Sequence, residues 1–520
     1  MNFFKHACLL TAVLLLHSAC GTNMVTGKRE FQFVSEEKEI QMGQDSYLPL
    51  QQIEGGEYLD DPALLSYIKE VTASLISVSE RPNLPYSITI INSSTPNAWA
   101  LPGGKIGINR GLLLELNSEA ELAAVLSHEI VHAAARHSAK ALERQMILRA
   151  GLFSLESITR ENMHSGVILS TSKLGTILLS QTYSRAAELE ADRYGIEYMV
   201  RAGYDPFAAV KLQETFIHLS SGRSPGWLEG LFASHPPSKE RLEANKLYAE
   251  TFPKGGKIAQ DTYKRKIARL RHSEGAYQLY DKAQTTLSEN NPRRALQITE
   301  QALQLHPQEA LFHGLAGKIK GVLSDYQGAL FSLDRALSYN PHYYDFYLQR
   351  GLIHRQLGNL SHSRADLNKS ITLLPTADAY YALGRLAVDE GNSAEAQKNF
   401  AIASNANTNT GQKATRWLAR MEIPHVPEKY LQLKAGLDNT NHLILEVQNQ
   451  SVVSVKDVHI QVEVLNPAGR SQSIQVFKIG SKMNANDIRA VSTQLGPFSN
   501  TRILSETIRA SITSAKVLSQ

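Results

Sequence analysis

A period of 34 residues in the second half of the chain constrains the fold more than any other feature. Small residues and prolines recur at this step: Ala295, Ala329 and Ser363; Ala302, Ala336 and Ser370; Pro307, Pro341 and Pro375. Small residues let two helices approach closely, and a proline ends the second helix of each unit. Because each helix pair buries its apolar face only against the next pair, the period predicts an α-solenoid over residues 271–421.

The repeat unit has a recognisable type. Gly317 and Gly351 keep the 34-residue step, and Gly384 follows one residue early in a shortened fourth unit. This period, with small residues where helices cross and proline at the end of the unit, is the signature of tetratricopeptide (TPR) repeats, and we expect about four of them. The concave face of such a solenoid usually binds protein. A plain helical bundle is the alternative.

After the repeats, the sequence pattern changes from helical to strand-like. Apolar and polar residues alternate in LILEVQNQ (443–450) and VHIQVEVLNPAG (458–469), which predicts short strands. We expect a small all-β sandwich over residues 428–520. This C-terminal region contains no evident set of catalytic residues, so we expect it to bind a partner or to act as a spacer. Residues 251–270 contain a proline and two glycines near their start, and this pattern predicts a linker and a lead-in helix.

Composition narrows the possible functions. At 520 residues the chain has room for about three domains. The formal net charge of +4 is small for this length and gives no reason to expect a nucleic-acid partner. The two cysteines, Cys8 and Cys20, both lie near the N-terminus. A catalytic metal in the body of the protein must therefore be held by histidine and carboxylate.

The first twenty residues, MNFFKHACLLTAVLLLHSAC, have the pattern of an export signal. Lys5 precedes an apolar run, Ala7–Leu16, that is too short to span a bilayer. The run and the cysteine after it resemble a bacterial lipoprotein signal, although His17 stands where an aliphatic residue is usual. We expect residues 1–20 to be this signal, with Cys20 lipidated and the protein held in the periplasm on the outer membrane. Simple secretory cleavage and an uncleaved anchor are the alternatives.

The stretch ELAAVLSHEIVHAAARH carries the chemistry. Ser118 and Glu121 form a capping box, and no glycine or proline interrupts the run, so a helix is predicted. A spacing of four puts His128 and His132 on one face, where both imidazoles can reach one metal ion, with Glu129 beside them to deprotonate a bound water. The alternative is a pair of core histidines that share a helix by chance.

A catalytic zinc site needs a third protein ligand and an open position for water. The third histidine of the metzincin pattern is missing, because His137 comes too early, so a carboxylate from a second helix is required. The segment YSRAAELEADRYG (183–195) contains three acidic residues. On a helix Glu188 and Asp192 share a face, whereas Glu190 points elsewhere. Ordinary surface charges are the alternative interpretation.

HEIVH followed by SRAAELEADRYG resembles the gluzincin HExxH zinc metalloproteases of the CAAX prenyl protease and HtpX type, and within them the exported BepA-like branch with TPR repeats. The resemblance covers residues 21–250 and implies a mainly α-helical metalloprotease domain with a small β-sheet. It implies one Zn²⁺ per chain, bound by His128, His132 and Glu188. Asp192 would fix the ring of a ligand histidine. The C-terminal β region lies outside the family pattern.

Two further segments resemble this family. NAWALPGGKIGINRGLL predicts a strand, a Pro–Gly–Gly turn and a second strand that leads into a helix. The resemblance implies that the first strand is an edge strand beside the active-site helix, which in gluzincins pairs with the substrate backbone. Asn97 and Ala98 are the candidates for that edge, with a mere hairpin as the alternative. SHPPSKERL implies that His235 stabilises the transition state or enters as a fourth ligand that switches the enzyme off. Arg241 is a weaker candidate from the same motif.

The region between the two metal-binding motifs predicts a cover for the cleft. Residues 145–180 are fairly apolar, but charges such as Arg149, Glu156 and Lys173 break every run before it reaches the length of a membrane span. We expect a lid or amphipathic cover.

Together these features predict a zinc-dependent endopeptidase of the bacterial cell envelope. The resemblance implies quality control of outer-membrane proteins, with the TPR repeats recruiting protein clients and envelope assembly proteins, and with membrane contact through the lipid anchor. A TPR-based periplasmic assembly chaperone with latent or secondary proteolysis is the alternative. An aminopeptidase would need an acidic site for the substrate N-terminus, and none is evident in the sequence.

Overall fold

The computed structural model describes residues 20–144, 183–222, 235–466 and 468–518. The expected signal up to residue 19 and the expected cover at residues 145–180 lie outside the described residues. The chain forms two compact units, Met1–Leu357 with Asn368–Pro375 and Gly358–Leu367 with Thr376–Gln520.

Helices dominate the first half of the first unit. The elements are β1 (Cys20–Thr22), β2 (Arg29–Phe31), α1 (Glu36–Ile53), α2 (Pro62–Ile76), β3 (Ser87–Ile91), β4 (Ala98–Leu101), β5 (Lys105–Asn109), α3 (Arg110–Glu115), α4 (Glu119–Ala134), α5 (Arg185–Arg201), α6 (Phe207–Gly222) and α7 (Lys239–Ala249). A further helical segment begins at His137. Throughout the described part of the chain, no helix has both the length and the apolar character that membrane crossing requires.

A three-stranded sheet packs beside α4. β5 is the central strand, paired in parallel with β3 and antiparallel with β4, so β4 is an edge strand. The turn between β4 and β5 uses Gly103 and Gly104 at φ values of 71° and 81°. A Cβ on Gly103 would lie 2.7 Å from the Cα of Ile40. The Pro–Gly–Gly turn is therefore required both by the left-handed backbone and by the close approach of α1.

Helix α4 is the centre of the first unit. Every residue of α4 except His128 is buried, which explains why its sequence is apolar or small on all faces. Helix α5 approaches it at Gly195, where a Cβ would lie 3.2 Å from Ser127 Oγ and 3.3 Å from the His128 nitrogen. The glycine therefore lets the two helices come close enough to share a site.

The repeats form helix pairs, as the 34-residue period predicts. After α8 (Gln260–Lys266), which precedes the repeats, the helices are α9 (Ala268–Ser288), α10 (Pro292–Leu305), α11 (Ala310–Val322), α12 (Tyr326–Tyr339), α13 (Tyr344–Gln356), α14 (Leu360–Leu373), α15 (Ala377–Asp389), α16 (Ser393–Ser404) and α17 (Asn409–Glu422). Ala295, Ala302, Ala329 and Ala336 are all fully buried. The recurring small residues therefore lie inside the helix stack.

The segment expected to be a linker and lead-in helix packs on the domain before it. It contains α8, whose Tyr263 is fully buried and donates its hydroxyl to the Leu113 carbonyl at 2.6 Å. The first repeats continue this contact, because Asn92 Nδ2 donates to Glu309 Oε1 at 3.1 Å. Within the first unit, the repeats and the sheet-containing part are one packed body.

The C-terminal part of the second unit is the expected β-sandwich. Its elements are β6 (Leu431–Leu437), β7 (Leu443–Asn449), β8 (Val455–Leu465), β9 (Ser471–Ile479), β10 (Ile488–Ser492), α18 (Thr501–Thr507) and β11 (Ile508–Val517). The strands form two antiparallel sheets, ordered β10-β7-β6 and β11-β8-β9. Leu445 and Val447 from one sheet share a buried core with Ile460 and Val462 from the other. The alternation read from the sequence thus corresponds to the inner faces of two packed sheets.

Candidate metal centre

Helix α4 brings its two histidines to one point. Ser118 caps the helix by accepting a hydrogen bond from the Glu121 nitrogen at 3.2 Å. One turn apart on the same face, the Nε2 atoms of His128 and His132 lie 3.0 Å from each other. Both imidazoles are therefore aimed at a shared position, as their spacing of four predicts.

A carboxylate from α5 completes a three-residue cluster. Glu188 Oε1 lies 3.4 Å from His132 Nε2, and Oε2 lies 3.5 Å from His128 Nε2. The Glu188 side chain is only 2% exposed. Burial opposes ionisation of this group, but the surrounding imidazoles hold its pKa well below its ordinary value. An ionised carboxylate facing two imidazole nitrogens is a donor set suited to a divalent metal ion.

His235 supplies a fourth donor atom. Its Nδ1 lies 3.2 Å from His128 Nε2 and 3.0 Å from Glu188 Oε1. All four donor atoms lie within 4.8 Å of one another. A tetrahedral zinc ion with bonds of about 2.0–2.1 Å separates its ligand atoms by roughly 3.3 Å. The separations in this cluster fit that tetrahedron.

Glu129 lies beside the cluster without being part of it. It is 2% exposed, and within the described residues its Oε2 has no hydrogen-bond partner. Burial raises its pKa above the ordinary value, because removal from water disfavours the carboxylate. A buried carboxyl group with a free oxygen and a raised pKa can accept and return a proton.

Asp192 and Arg241 hold the cluster from behind. Asp192 Oδ1 lies 3.0 Å from His128 Nδ1, so it can orient that ring. Arg241 donates to both oxygens of Asp192 at 2.7 Å and places Nη1 2.7 Å from Glu188 Oε2. Burial opposes ionisation of Asp192, but Arg241 holds its pKa below the ordinary value. Arg241 therefore contacts both Glu188 and Asp192, although the sequence motif made it only a weak candidate.

The sequence interpretation missed a second support, which lies behind His132. His137 Nδ1 is 2.8 Å from His132 Nδ1, and His137 Nε2 is 3.1 Å from Glu190 Oε1. Arg136, at a φ of 60°, lies in the turn that follows α4, and His137 comes directly after it. Glu190 does point away from Glu188, but it points at this histidine. The close spacing of His132 and His137 was the available signal.

The edge strand β4, which was expected to pair with substrate, is covered in this structure. Ala98 begins β4 and Asn97 immediately precedes it, and the two residues are 0% and 5% exposed. The Ala100 carbonyl on the same strand accepts hydrogen bonds from Ser138 Oγ at 3.3 Å and from the Tyr183 hydroxyl at 3.4 Å. A peptide that pairs with this edge must displace these hydroxyl groups.

A buried set of histidines and a carboxylate on two helices, with a second carboxyl group poised beside it, defines a metalloprotease. The sequence profile of peptidase family M48 matches residues 62–248, and a tetratricopeptide repeat profile matches residues 316–378. The chain belongs to peptidase family M48. The expectation of a gluzincin metalloprotease of the CAAX prenyl protease and HtpX type, in a BepA-like branch with TPR repeats, is confirmed.

Two relatives show the extent of the similarity. The chain is 32% identical over 246 residues to the mitochondrial metalloendopeptidase OMA1 of Schizosaccharomyces pombe, a match covering 44% of this chain and 70% of that protein. It is 30% identical over 213 residues to the beta-barrel assembly-enhancing protease of Escherichia coli, covering 39% of this chain and 42% of that protein. The match thus spans less than half of the bacterial relative.

Proposed function

We propose that this chain is a zinc-dependent endopeptidase in which His128, His132 and Glu188 hold one Zn²⁺. The observation that carries the proposal is the tetrahedral spacing of the donor atoms, with His128 and His132 Nε2 3.0 Å apart and Glu188 Oε1 3.4 Å from His132 Nε2. The donor set of two imidazoles and one carboxylate is that of a catalytic zinc site. When bound, zinc supplies a Lewis acid that polarises the peptide carbonyl and acidifies water.

The chain's own residues handle the proton and the positions of the ligands. Glu129 accepts the proton of the attacking water at Oε2 and delivers it to the leaving amine, a transfer for which its raised pKa is suited. Asp192 keeps the ring of His128 in place through Nδ1. Ala98 on the edge strand β4 aligns the substrate backbone once the covering hydroxyl groups move away. Asn97 precedes the strand, and its carbonyl already accepts a hydrogen bond from the Asn109 nitrogen of β5 at 2.8 Å, so its backbone faces the sheet.

The proposed place of action is the bacterial cell envelope. Three features support it: the lipoprotein-like signal that ends at Cys20, the TPR repeats, and a relative named beta-barrel assembly-enhancing protease. Cys20 would anchor the protein to the outer membrane from the periplasmic side. The repeats would recruit protein clients, namely outer-membrane proteins or their assembly factors, so that proteolysis serves quality control.

One observation favours a second candidate function, an assembly chaperone whose proteolysis is latent. His235 Nδ1 occupies the fourth corner of the donor cluster, 3.0 Å from Glu188 Oε1, where a catalytic site needs room for water. His235 in this position would hold the enzyme inactive until the loop that carries it moves.

Metal analysis and one substitution test the proposal. The purified chain should contain one zinc ion and cleave casein, and a chelator should abolish the cleavage. Glu129→Gln should retain zinc and lose cleavage by roughly a thousandfold or more. Absence of stoichiometric zinc from the intact chain would refute the proposal. Glu129→Gln should restore growth to cells that depend only on the chaperone role of the protein. It should not restore growth to cells that depend on its protease activity.

A further inference from the structure

A small cavity lies between the helices beside Glu129. Its lining includes His128 and Glu129, and its volume is about 40 Å³. A single water needs roughly 10–15 Å³ on this scale, so the cavity holds a group of about three non-hydrogen atoms. Its walls come from α4, α5, α6 and α7 and are mixed in character, with an apolar part formed by Val125, Ile196, Met199, Leu212 and Phe216. The cavity can therefore take one short side chain of a peptide whose scissile bond lies at Glu129.

Apart from the metal cluster and its supporting residues, the polar lining residues are Ser127, Gln213 and Asn245, and among the described residues only Gln213 of these three has an unpaired side-chain atom. Gln213 lies on α6 among the buried positions Ala209, Leu212 and Phe216, which recur at the spacing of a helix face. It is 3% exposed, and its Oε1 has no hydrogen-bond partner among the residues that the structure describes. A buried amide oxygen without a partner is disfavoured, so this group calls for a ligand that can hydrogen bond.

We propose that this cavity is a specificity pocket for a short hydroxyl side chain, threonine, next to the scissile bond of the substrate. This inference rests on the proposed endopeptidase function. The threonine side chain has three non-hydrogen atoms, and its methyl group suits the apolar wall. Its hydroxyl group can both donate and accept, so it satisfies the amide of Gln213 in either orientation. Valine has the same shape but leaves Oε1 unpaired.

Matched peptides test the pocket in the zinc-loaded full-length chain. Peptides with threonine or valine at each position flanking the scissile bond are compared by kcat/KM, with products identified by mass. At one of these positions threonine should be preferred by roughly tenfold, the value of one buried hydrogen bond. Gln213→Leu should remove or invert the preference. Glu214→Leu, an exposed neighbour on the same helix, should keep it.

Failure of the pocket can be told apart from failure of the protease. If the wild-type chain binds zinc and cleaves both peptides equally at both positions, the pocket is refuted and the proposed function stands. Affinity for the same peptides, measured by calorimetry on zinc-loaded Glu129→Gln, gives a readout without turnover. Tighter binding of a threonine peptide supports the pocket, and equal affinities refute it. The wild-type and Glu129→Gln comparisons decide the question even if Gln213→Leu does not fold.

Discussion

At the scale of single residues, each metal-facing histidine of α4 has its own support behind the ring. His128 Nδ1 faces Asp192, whereas His132 Nδ1 faces His137, which in turn contacts Glu190. If His132 offers the lone pair of Nε2 to a metal ion, its proton is on Nδ1, and this N–H donates a hydrogen bond to His137 Nδ1. This hydrogen bond fixes both the tautomer and the orientation of the ring.

Loss of this support should weaken metal binding without changing the ligands. We expect His137→Ala to reduce zinc affinity by roughly tenfold to a hundredfold, because the ring of His132 is then free to rotate. His137→Gln, which keeps a hydrogen-bond acceptor, should retain more of the affinity. Competition with a chromogenic chelator measures the effect. His313→Ala, which removes a repeat histidine that contacts the Pro307 carbonyl, is the control and should leave affinity unchanged.

The decrease in activity at acid pH should follow the protonation of Glu129. Burial raises its pKa above the ordinary value of 4.5, and the general base must be deprotonated to accept a proton. Activity should therefore increase with pH through an apparent pKa above 4.5 and decrease below it. A pH profile of kcat/KM on a peptide substrate tests this. A profile with an acid limb at or below the ordinary glutamate value would contradict the assignment.

At the scale of elements, the centre depends on how closely α5 packs on α4. Glu188 can face His128 and His132 only because Gly195, two turns further along α5, leaves the contact surface free of a side chain. The nearest atoms to an added Cβ are Ser127 Oγ at 3.2 Å and the His128 nitrogen at 3.3 Å. These contacts are too close to accept a methyl group without a shift of one helix.

Gly195→Ala should therefore act on the metal site through the helix spacing. We expect a several-fold loss of zinc affinity, because displacement of α5 by a few tenths of an ångström moves Glu188 away from the histidines. Gly275→Ala in α9 is the matched control, since nothing lies within 4 Å of its added Cβ. It should leave zinc affinity unchanged and stabilise the protein by about 0.5–1 kcal/mol. Equal zinc affinity for the two variants would contradict this account of the packing.

At the scale of the whole molecule, the first repeats are joined to the protease part of the first unit by polar contacts. Asp60, which precedes α2, pairs with Arg269 at 2.9 Å and with His306 at 3.3 Å. Burial opposes ionisation of Asp60, but these two partners hold its pKa at about 2. The contact with Asp60 is the largest of the effects that raise the pKa of His306 above its ordinary value of 6.5.

This pairing makes the stability of the first unit depend on pH. Because the pKa of His306 is raised in the folded state, its contribution is complete below the ordinary pKa and is lost as pH increases through the folded value. The difference in urea unfolding midpoint between the wild-type chain and His306→Gln should therefore be larger at about pH 5.5 than at about pH 9. These pH values lie about one unit below and about two and a half units above the ordinary histidine pKa. A difference that does not change with pH would show that the pair carries no linked proton.

The sequence by itself determined the features that follow from local periodicity. A step of four fixes His128 and His132 on one helix face, and the same step fixes Glu188 and Asp192 on another. The 34-residue repeat and the alternation after Tyr430 fix the solenoid and the sandwich, because each pattern can bury its apolar residues in only one kind of element. These interpretations required no knowledge of which distant segments meet.

Only the tertiary structure decided which segments share the site. His137 reaches His132 after the turn at Arg136, and Glu190 meets it from another helix. Gln213 faces the catalytic cavity because α6 packs on α4 in one particular orientation. The contacts of Glu190 and Gln213 join residues far apart in the chain, and their geometry comes from packing between helices, which periodicity within one helix does not encode.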